Sequence, residues 1–274
     1  MSNVTPTMGD CPSCGSSDAN ATYPDDGHSW CYSCETYTSG DKSMQQTKVI
    51  PMNNPATSQL KSVGQVADIP DRKIKQETAK KYNTQVMQSN NMITHHIYQY
   101  FDKDGNHIAN KVREVQGKKF WSEGNLAGSG LFGEHIFGRA GKYITVCEGE
   151  IDAMSAYEML GSKWPVVSIK NGAASALENC RRSFEYLNQF ENVVLCFDND
   201  KPGKEAALKV AELFDPNKCK IIELDLKDAN EYLKTNQRKK FSDDWWNART
   251  FTPAGIVNLA DLGTTLYDEK YCET

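Results

Sequence analysis

No stretch of the 274 residues approaches transmembrane length, and none has the layout of a secretory signal, so neither a bilayer span nor export is expected. An excess of positive charge is also missing. Thirty-one basic against thirty-six acidic residues leave a net charge of −5, which argues against a protein that coats nucleic acid non-specifically; any nucleic-acid contact has to be local. No GxxxxGKS/T run occurs. The Gly-Lys pairs ending at Lys118, Lys142 and Lys204 are followed by Lys119, Tyr143 and Glu205, which excludes a P-loop motor. There is no internal repeat. From Gly40 to Gln59 there is no aromatic residue, and Ser, Thr, Gln, Asn, Met and Pro dominate, so residues 40–59 are expected to form a flexible linker.

What is present begins with two acidic runs. Tyr143-Ile144-Thr145-Val146-Cys147 ends at Glu148-Gly149-Glu150-Ile151-Asp152, and Val193-Val194-Leu195-Cys196-Phe197 ends at Asp198-Asn199-Asp200. Each is an apolar strand pattern that stops at carboxylates and is followed by a helix pattern, Ile151 to Leu160 and Gly203 to Phe214. Two strand-to-helix units of this kind place their acids on one edge of a parallel sheet, where open α/β folds carry their sites. Hard oxygen ligands there suit Mg²⁺ or Mn²⁺, and hence phosphate chemistry, with Glu148, Asp198 and Asp200 as the candidate catalytic and metal-holding residues.

Four of the nine cysteines form a second pattern. Cys11-Pro12-Ser13-Cys14 and Cys31-Tyr32-Ser33-Cys34 are two CxxC knuckles separated by sixteen residues, the spacing of a tetrahedral zinc site. The other five, Cys147, Cys180, Cys196, Cys219 and Cys272, follow no pairing pattern, which favours a reducing compartment and zinc over disulfides. A unit of about thirty residues buries too little apolar surface to fold unaided, so the metal would supply folding energy.

Ile69 to Tyr82 is expected to form a Pro-started helix with a basic face. Thr94 to Phe101 and His107 to Val115, around Asp104-Gly105-Asn106, should form a β-hairpin. Residues 142 to about 233 form the α/β unit, and Ser242 to Ala248, with Trp245 and Trp246, closes it. Lys111, Arg113, Lys118 and Lys119 read either as a solvated hairpin edge or as a basic wall for phosphates beside the acids. His28 could be an alternative metal ligand, a packing residue or a nucleic-acid contact. Trp30, Tyr32 and Tyr37 could stack on bases or pack the small module. Asn171-Gly172-Ala173-Ala174 is either a phosphate-binding turn or a plain strand-helix connection. Lys227-Asp228-Ala229-Asn230-Glu231 follows another apolar run and should end near the same sheet edge.

The Glu148-to-Asp152 run followed by Phe197-Asp198-Asn199-Asp200 resembles the Toprim signature, a glutamate in one motif and a DxD in the next. The four-cysteine unit narrows the resemblance to bacteriophage primase–helicases of the T-odd kind, in their primase half. Arg72-Lys73-Ile74, Lys111-Val112-Arg113, Leu131-Phe132-Gly133 and the Lys227 to Glu231 run match in the same order, from about residue 10 to about residue 257. Residue 73 is lysine where the family often has glycine. The resemblance implies an α+β and α/β chain: a zinc ribbon at 9–39, the linker at 40–59, a basic subdomain of an RNA polymerase domain at 60–141, a Toprim subdomain with its closing helix at 142–252, and an exit segment at 253–274.

By the same resemblance, Glu148 serves acid/base chemistry or metal binding, and Asp198 and Asp200 are the metal-holding DxD. Lys111 and Lys118 contact nucleotide or template, and Asp26 and His28 read the template. The implied activity is a DNA-dependent RNA primase that joins ribonucleoside triphosphates on single-stranded DNA in the cytoplasm of an infected bacterial host. It would use structural Zn²⁺ and catalytic Mg²⁺ or Mn²⁺, with no membrane partner. A hexameric replicative helicase, covalently attached or separate, and a DNA polymerase that receives the primer are the implied partners. The chain stops where the family continues into a helicase, so a primase-only protein or a fragment is expected. The alternatives are another Toprim enzyme, a nuclease or a topoisomerase, and a non-catalytic zinc-ribbon adaptor of replication.

Overall fold

Apolar runs that are buried on both faces dictate the centre of this protein. The computed structural model describes residues 5–12, 19–25, 27–32, 36–38, 60–117 and 119–253. The expectations for Cys14, Asp26, Cys34, the 40–59 linker, Lys118 and the segment after Pro253 lie outside the described residues. The chain divides into two units, residues 1–54 and 55–274.

The first unit is an antiparallel sheet of four short strands in sequence order, β1 (Thr7–Gly9), β2 (Asn20–Thr22), β3 (Ser29–Cys31) and β4 (Tyr37–Thr38). Its buried residues, among those described, are Cys11, Ala21, Ser29 and Cys31. Among the described residues, its inside is therefore made of small side chains, two of them knuckle cysteines.

The second unit starts with a break that the sequence pattern does not announce. The expected single helix from Ile69 to Tyr82 is interrupted. Pro70–Arg72 is one 3₁₀ turn, Lys73 takes left-handed angles (φ 54°, ψ 28°), and α1 covers only Gln76–Lys81. The cause is tertiary. Ile69 and Ile74 pair backbone to backbone, N–H to C=O, at 2.8 and 3.2 Å, and both side chains are buried. Lysine thus occupies a left-handed position that glycine fills at no steric cost.

An antiparallel sheet follows in the order β5 (Thr84–Ser89), β6 (Met92–Phe101), β7 (His107–Glu114) and β8 (Phe120–Gly124). The expected hairpin is β6–β7. The Asp102 carboxylate accepts from Asp104 N–H at 2.9 Å and Asn106 N–H at 2.8 Å, which closes the turn.

The parallel sheet comes next, with β9 (Gly141–Cys147), α2 (Glu150–Met159), β10 (Val166–Ser168), α3 (Ala176–Arg182), α4 (Phe184–Leu187), β11 (Phe190–Cys196), α5 (Lys201–Ala211), β12 (Cys219–Ile221), α6 (Ala229–Lys234), α7 (Arg238–Trp246) and β13 (Arg249–Thr250). Strand order is β10-β9-β11-β12-β13, parallel except for β13. Alternation sorts the strand residues by face. Ile144, Val146, Val193 and Leu195 enter one core with residues of α3 and α5. Cys147, Val194 and Cys196 enter the other, with residues of α2, α6 and α7 and with Tyr98 and Tyr100 of the antiparallel sheet. Each such aliphatic side chain, fully buried, contributes roughly 1.5–3 kcal/mol. Helix α2 is buried along nearly its whole length, Glu150, Ser155 and Glu158 included, because it lies between these layers. The closing helix is real: Trp245 is buried, and its indole N–H donates to Thr145 Oγ1 at 2.9 Å.

Candidate active site

Strands β9 and β11 lie side by side, and the helices that follow them leave for opposite faces, α2 to one core and α5 to the other. That divergence opens a crevice beyond the carboxyl ends of the strands. Cys147 pairs in register with Cys196, so Glu148 and the Phe197-Asp198 step leave the sheet at the same level. A cleft of about 430 Å³ lies there, with Glu148, Glu150, Asp152 and Asp198 on one side and Lys111, Phe120 and the Asn171-Gly172 turn around it.

Both oxygens of Glu148 are held by backbone. Oε1 accepts from Ala173 N–H at 3.2 Å and Oε2 from Asp198 N–H at 3.3 Å. The first donor comes from the 171–174 run, whose Asn171 and Gly172 line the cleft. Gly172 has φ 74°, and this left-handed step orients the turn so that the next N–H meets the carboxylate. Asp200 is less free than its position in a DxD implies. Its Oδ1 accepts from Gly203 N–H at 2.8 Å and caps α5, whose second residue is Pro202. A Cβ on Gly203 would lie 2.3 Å from the Asp198 carbonyl oxygen, so glycine is what lets α5 start against that turn.

Negative charge is crowded here. Burial first, then Glu148 and Asp228, push the Asp198 carboxyl up to about 6. Burial, then Asp228, Asp198 and Glu148, hold Asp152 well above the usual carboxylate range. Opposing them is Lys227, whose Nζ is 3.8 Å from Asp198 and 3.6 Å from Asp228. Like charges gathered on oxygen donors fit a hard divalent cation, which would relieve the repulsion. Among the described residues no three such groups are already drawn together as a finished metal cage.

Asp152, Asp228 and Glu150 are site residues that the sequence reading passed over, although each stands in a run it singled out. Asp228 caps α6 by accepting from Glu231 N–H at 2.9 Å, and Asn230 N–H donates to Asp152 at 3.0 Å. The buried Asn230 side chain also donates to Arg72 O and Ser155 Oγ, both at 2.9 Å. Three separate motifs therefore meet at one amide. Acids at i and i+2 after a strand were the available signal for Glu150 and Asp152; the Lys227 to Glu231 run brought Asn230 to the right edge, but nothing local marks its contacts with Asp152, Arg72 and Ser155.

The basic run divides. Lys111 enters the cleft, where its Nζ donates to the buried Glu150 carboxylate at 2.7 Å and to Lys170 O; Tyr100 O–H donates to the same Glu150 oxygen at 2.6 Å. Arg113 lies against Phe120, Lys119 is exposed outside the cleft lining, and Lys118 is outside the described residues. In the first unit His28 stacks on Tyr23 (ring centroids 4.4 Å apart, planes 11° apart) and lies 5.6 Å from Tyr37. Trp30 pairs across the strands with the exposed Tyr37.

Residues 145–233 match the family model described as Toprim-like. The chain is 33% identical over 260 residues to a protein named DNA helicase/primase from Enterobacteria phage T3, covering 92% of this chain and 45% of that protein. It thus spans about half the length of the curated relative it matches. Among solved structures, the primase fragment of the bacteriophage T7 primase-helicase protein is similar, with 31% identity, a TM-score of 0.63, and coverage of 88% of this chain and 99% of that one. The T7 primase domains in a structure with the T7 lagging-strand DNA polymerase, an RNA/DNA hybrid and dTTP show 32% identity and a TM-score of 0.63, over 69% of this chain and 94% of that one.

Proposed function

This chain belongs to the bacteriophage primase–helicase family, matching its primase half, and we propose that it is a DNA-dependent RNA primase that makes short oligoribonucleotides on single-stranded DNA. The observation that carries this reading is the crowding of Glu148 and Asp198, at the ends of β9 and β11, with Asp152 of α2 and Asp228 at the start of α6, beside a cleft that Lys111 also lines.

In the reaction the 3′-hydroxyl of one nucleotide attacks the α-phosphate of the next, and pyrophosphate leaves. A bound Mg²⁺ or Mn²⁺ supplies positive charge to the phosphoryl oxygens. Glu148, Asp198 and Asp200 would hold it, and the two backbone N–H groups on Glu148 fix the direction in which that carboxylate faces. Glu148 is also the group to take the hydroxyl proton. Lys111, steadied by Glu150, faces the triphosphate, with Arg113, Lys118 and Lys119 extending the contact to template phosphates.

In the first unit Cys11, Cys14, Cys31 and Cys34 would bind one structural Zn²⁺; the burial of Cys11 and Cys31 supports it. Asp26 and His28 would read template bases, with Trp30 and Tyr37 as stacking faces. The division of labour follows 9–39 for the zinc module, 40–59 for the linker, 60–141 and 142–252 for the polymerase, and 253–274 as the exit. A hexameric helicase and a replicative DNA polymerase are the proposed partners; the T7 primase domains solved with their DNA polymerase support the second. The cytoplasm of the infected host is the proposed location, and no described helix is long and apolar enough to cross a membrane.

The test is incubation with single-stranded DNA, labelled ribonucleoside triphosphates and Mg²⁺. RNA oligomers are expected. DNA fragments would instead mean a nuclease, and no product a replication adaptor.

A further inference from the structure

Of the ten phenylalanines, Phe120 is the one in an exposed position, with 54% of its surface in water. It opens β8, the edge strand of the antiparallel sheet, and it lines the acidic cleft. Register explains its direction. Phe120 stands opposite Arg113, and Ser122 opposite Lys111, so these four share one face of the sheet. Trp121 stands opposite Val112 on the other face, where it packs edge-on to His95 with ring centroids 5.4 Å apart.

Two cations lie near the Phe120 ring. Lys111 Nζ is 5.4 Å and the Arg113 guanidinium carbon 5.7 Å from its centroid. Lys111 is itself fixed by Glu150, so one of the ring's neighbours is held in place while about half of the Phe120 surface stays open. Burying the ring fully would gain roughly 1.5–3 kcal/mol. Here that gain is forgone at the mouth of a cleft whose lining is otherwise mostly charged and polar.

We infer that Phe120 is a stacking platform for a nucleobase entering this cleft, set beside Lys111, which faces the triphosphate, and Arg113, which faces template phosphates. The inference rests on the nucleotidyl-transfer reading of the cleft and deepens it. Stacking of this kind is tolerant of base identity because every base offers a π face. The base has two possible sources, the incoming ribonucleotide and the template strand.

The experiment compares the wild-type full chain with Phe120→Ala, Phe120→Leu and Phe120→Trp. One arm measures KM and kcat for ribonucleoside triphosphates in primer synthesis. The other measures equilibrium binding, without synthesis, of a fluorescent single-stranded DNA and of a non-hydrolysable triphosphate analogue. Phe120→Ala should weaken one ligand by roughly five- to 100-fold, the loss expected for one base–aromatic stack. If the ribonucleotide stacks, KM and analogue binding weaken while DNA binding holds; if the template stacks, DNA binding weakens instead. Phe120→Leu should be as weak as Phe120→Ala, because it keeps apolar bulk and loses the π face, and Phe120→Trp should match or exceed wild type. Wild-type behaviour of Phe120→Ala, or full recovery in Phe120→Leu, would reduce the ring to an apolar cover for Lys111 and Arg113 and overturn the inference. If the wild-type chain made no RNA, the polymerase reading would fall, and the binding arm alone would decide the stack. A wild-type chain that bound neither ligand would overturn both.

Discussion

Replacing Asp198 by asparagine should stabilise the cation-free protein at pH 8 and abolish its activity. The side chain keeps its shape and loses its charge. In the folded chain burial and the neighbouring Glu148 and Asp228 raise the Asp198 carboxyl to about 6. A carboxyl whose folded pKa lies above its unfolded value contributes full stability below about pH 4 and loses it as the pH rises through about 6. The full gap would correspond to about 3 kcal/mol; solvent screening of a half-buried group brings it to roughly 1 to 2 kcal/mol. For a unit of this size that is a rise in Tm of roughly 3 to 7 °C. Thermal unfolding of wild type and Asp198→Asn, at pH 4 and pH 8 and with and without Mg²⁺, checks it. The variant should be the more stable at pH 8 without Mg²⁺, and the two should converge at pH 4. Mg²⁺ should raise the Tm of wild type more than that of the variant. A variant less stable than wild type at pH 8 without Mg²⁺, or equally stabilised at pH 4, would refute the crowding argument.

Asp200→Asn should lose Mg²⁺-dependent nucleotide joining with little change in Tm, since its amide oxygen still caps α5, whereas Asp200→Ala should lose activity and about 1 kcal/mol as well; urea unfolding alongside the joining assay separates the two. Trp245→Phe removes the indole donor to the buried Thr145 hydroxyl and should cost roughly 1 to 3 kcal/mol, read as a lower urea midpoint. Burial, with His107 nearby, depresses His135 to about 4. Between its unfolded value near 6.5 and that figure the unfolded chain binds the extra proton, so stability should fall as the pH drops from about 6.5 to 4, and His135→Gln should flatten the slope in acid titrations of Tm.

The local pattern of residues determined the sheet and the position of its acids. Val193 to Cys196 is apolar at every step, and Ile144 to Cys147 at every step but Thr145, so both faces of each strand had to be covered, and parallel strands with helices on either side satisfy that demand. Once the strands were parallel, Glu148 and Asp198 had to emerge at one edge. The hairpin around Gly105 was equally local, because the turn residues carry their own hydrogen bonds. The helix expected from Ile69 to Tyr82 failed for the opposite reason. Its helical propensity was outweighed by the pairing and burial of Ile69 and Ile74, which left Lys73 left-handed. Lys111 was visible as a basic residue, but its anchor on Glu150, 39 residues away in sequence, was not. Nor were the contacts of Asn230, its backbone N–H on Asp152 and its side-chain amide on Arg72 O 158 residues away, or the turn at Gly172 that points an N–H at Glu148. Periodicity and composition act over a few residues and fix which side chains face a core. The charge on a carboxylate, and the surroundings of a lysine or an aromatic ring, depend on whichever distant segments fold against it, and those only the tertiary structure brings together.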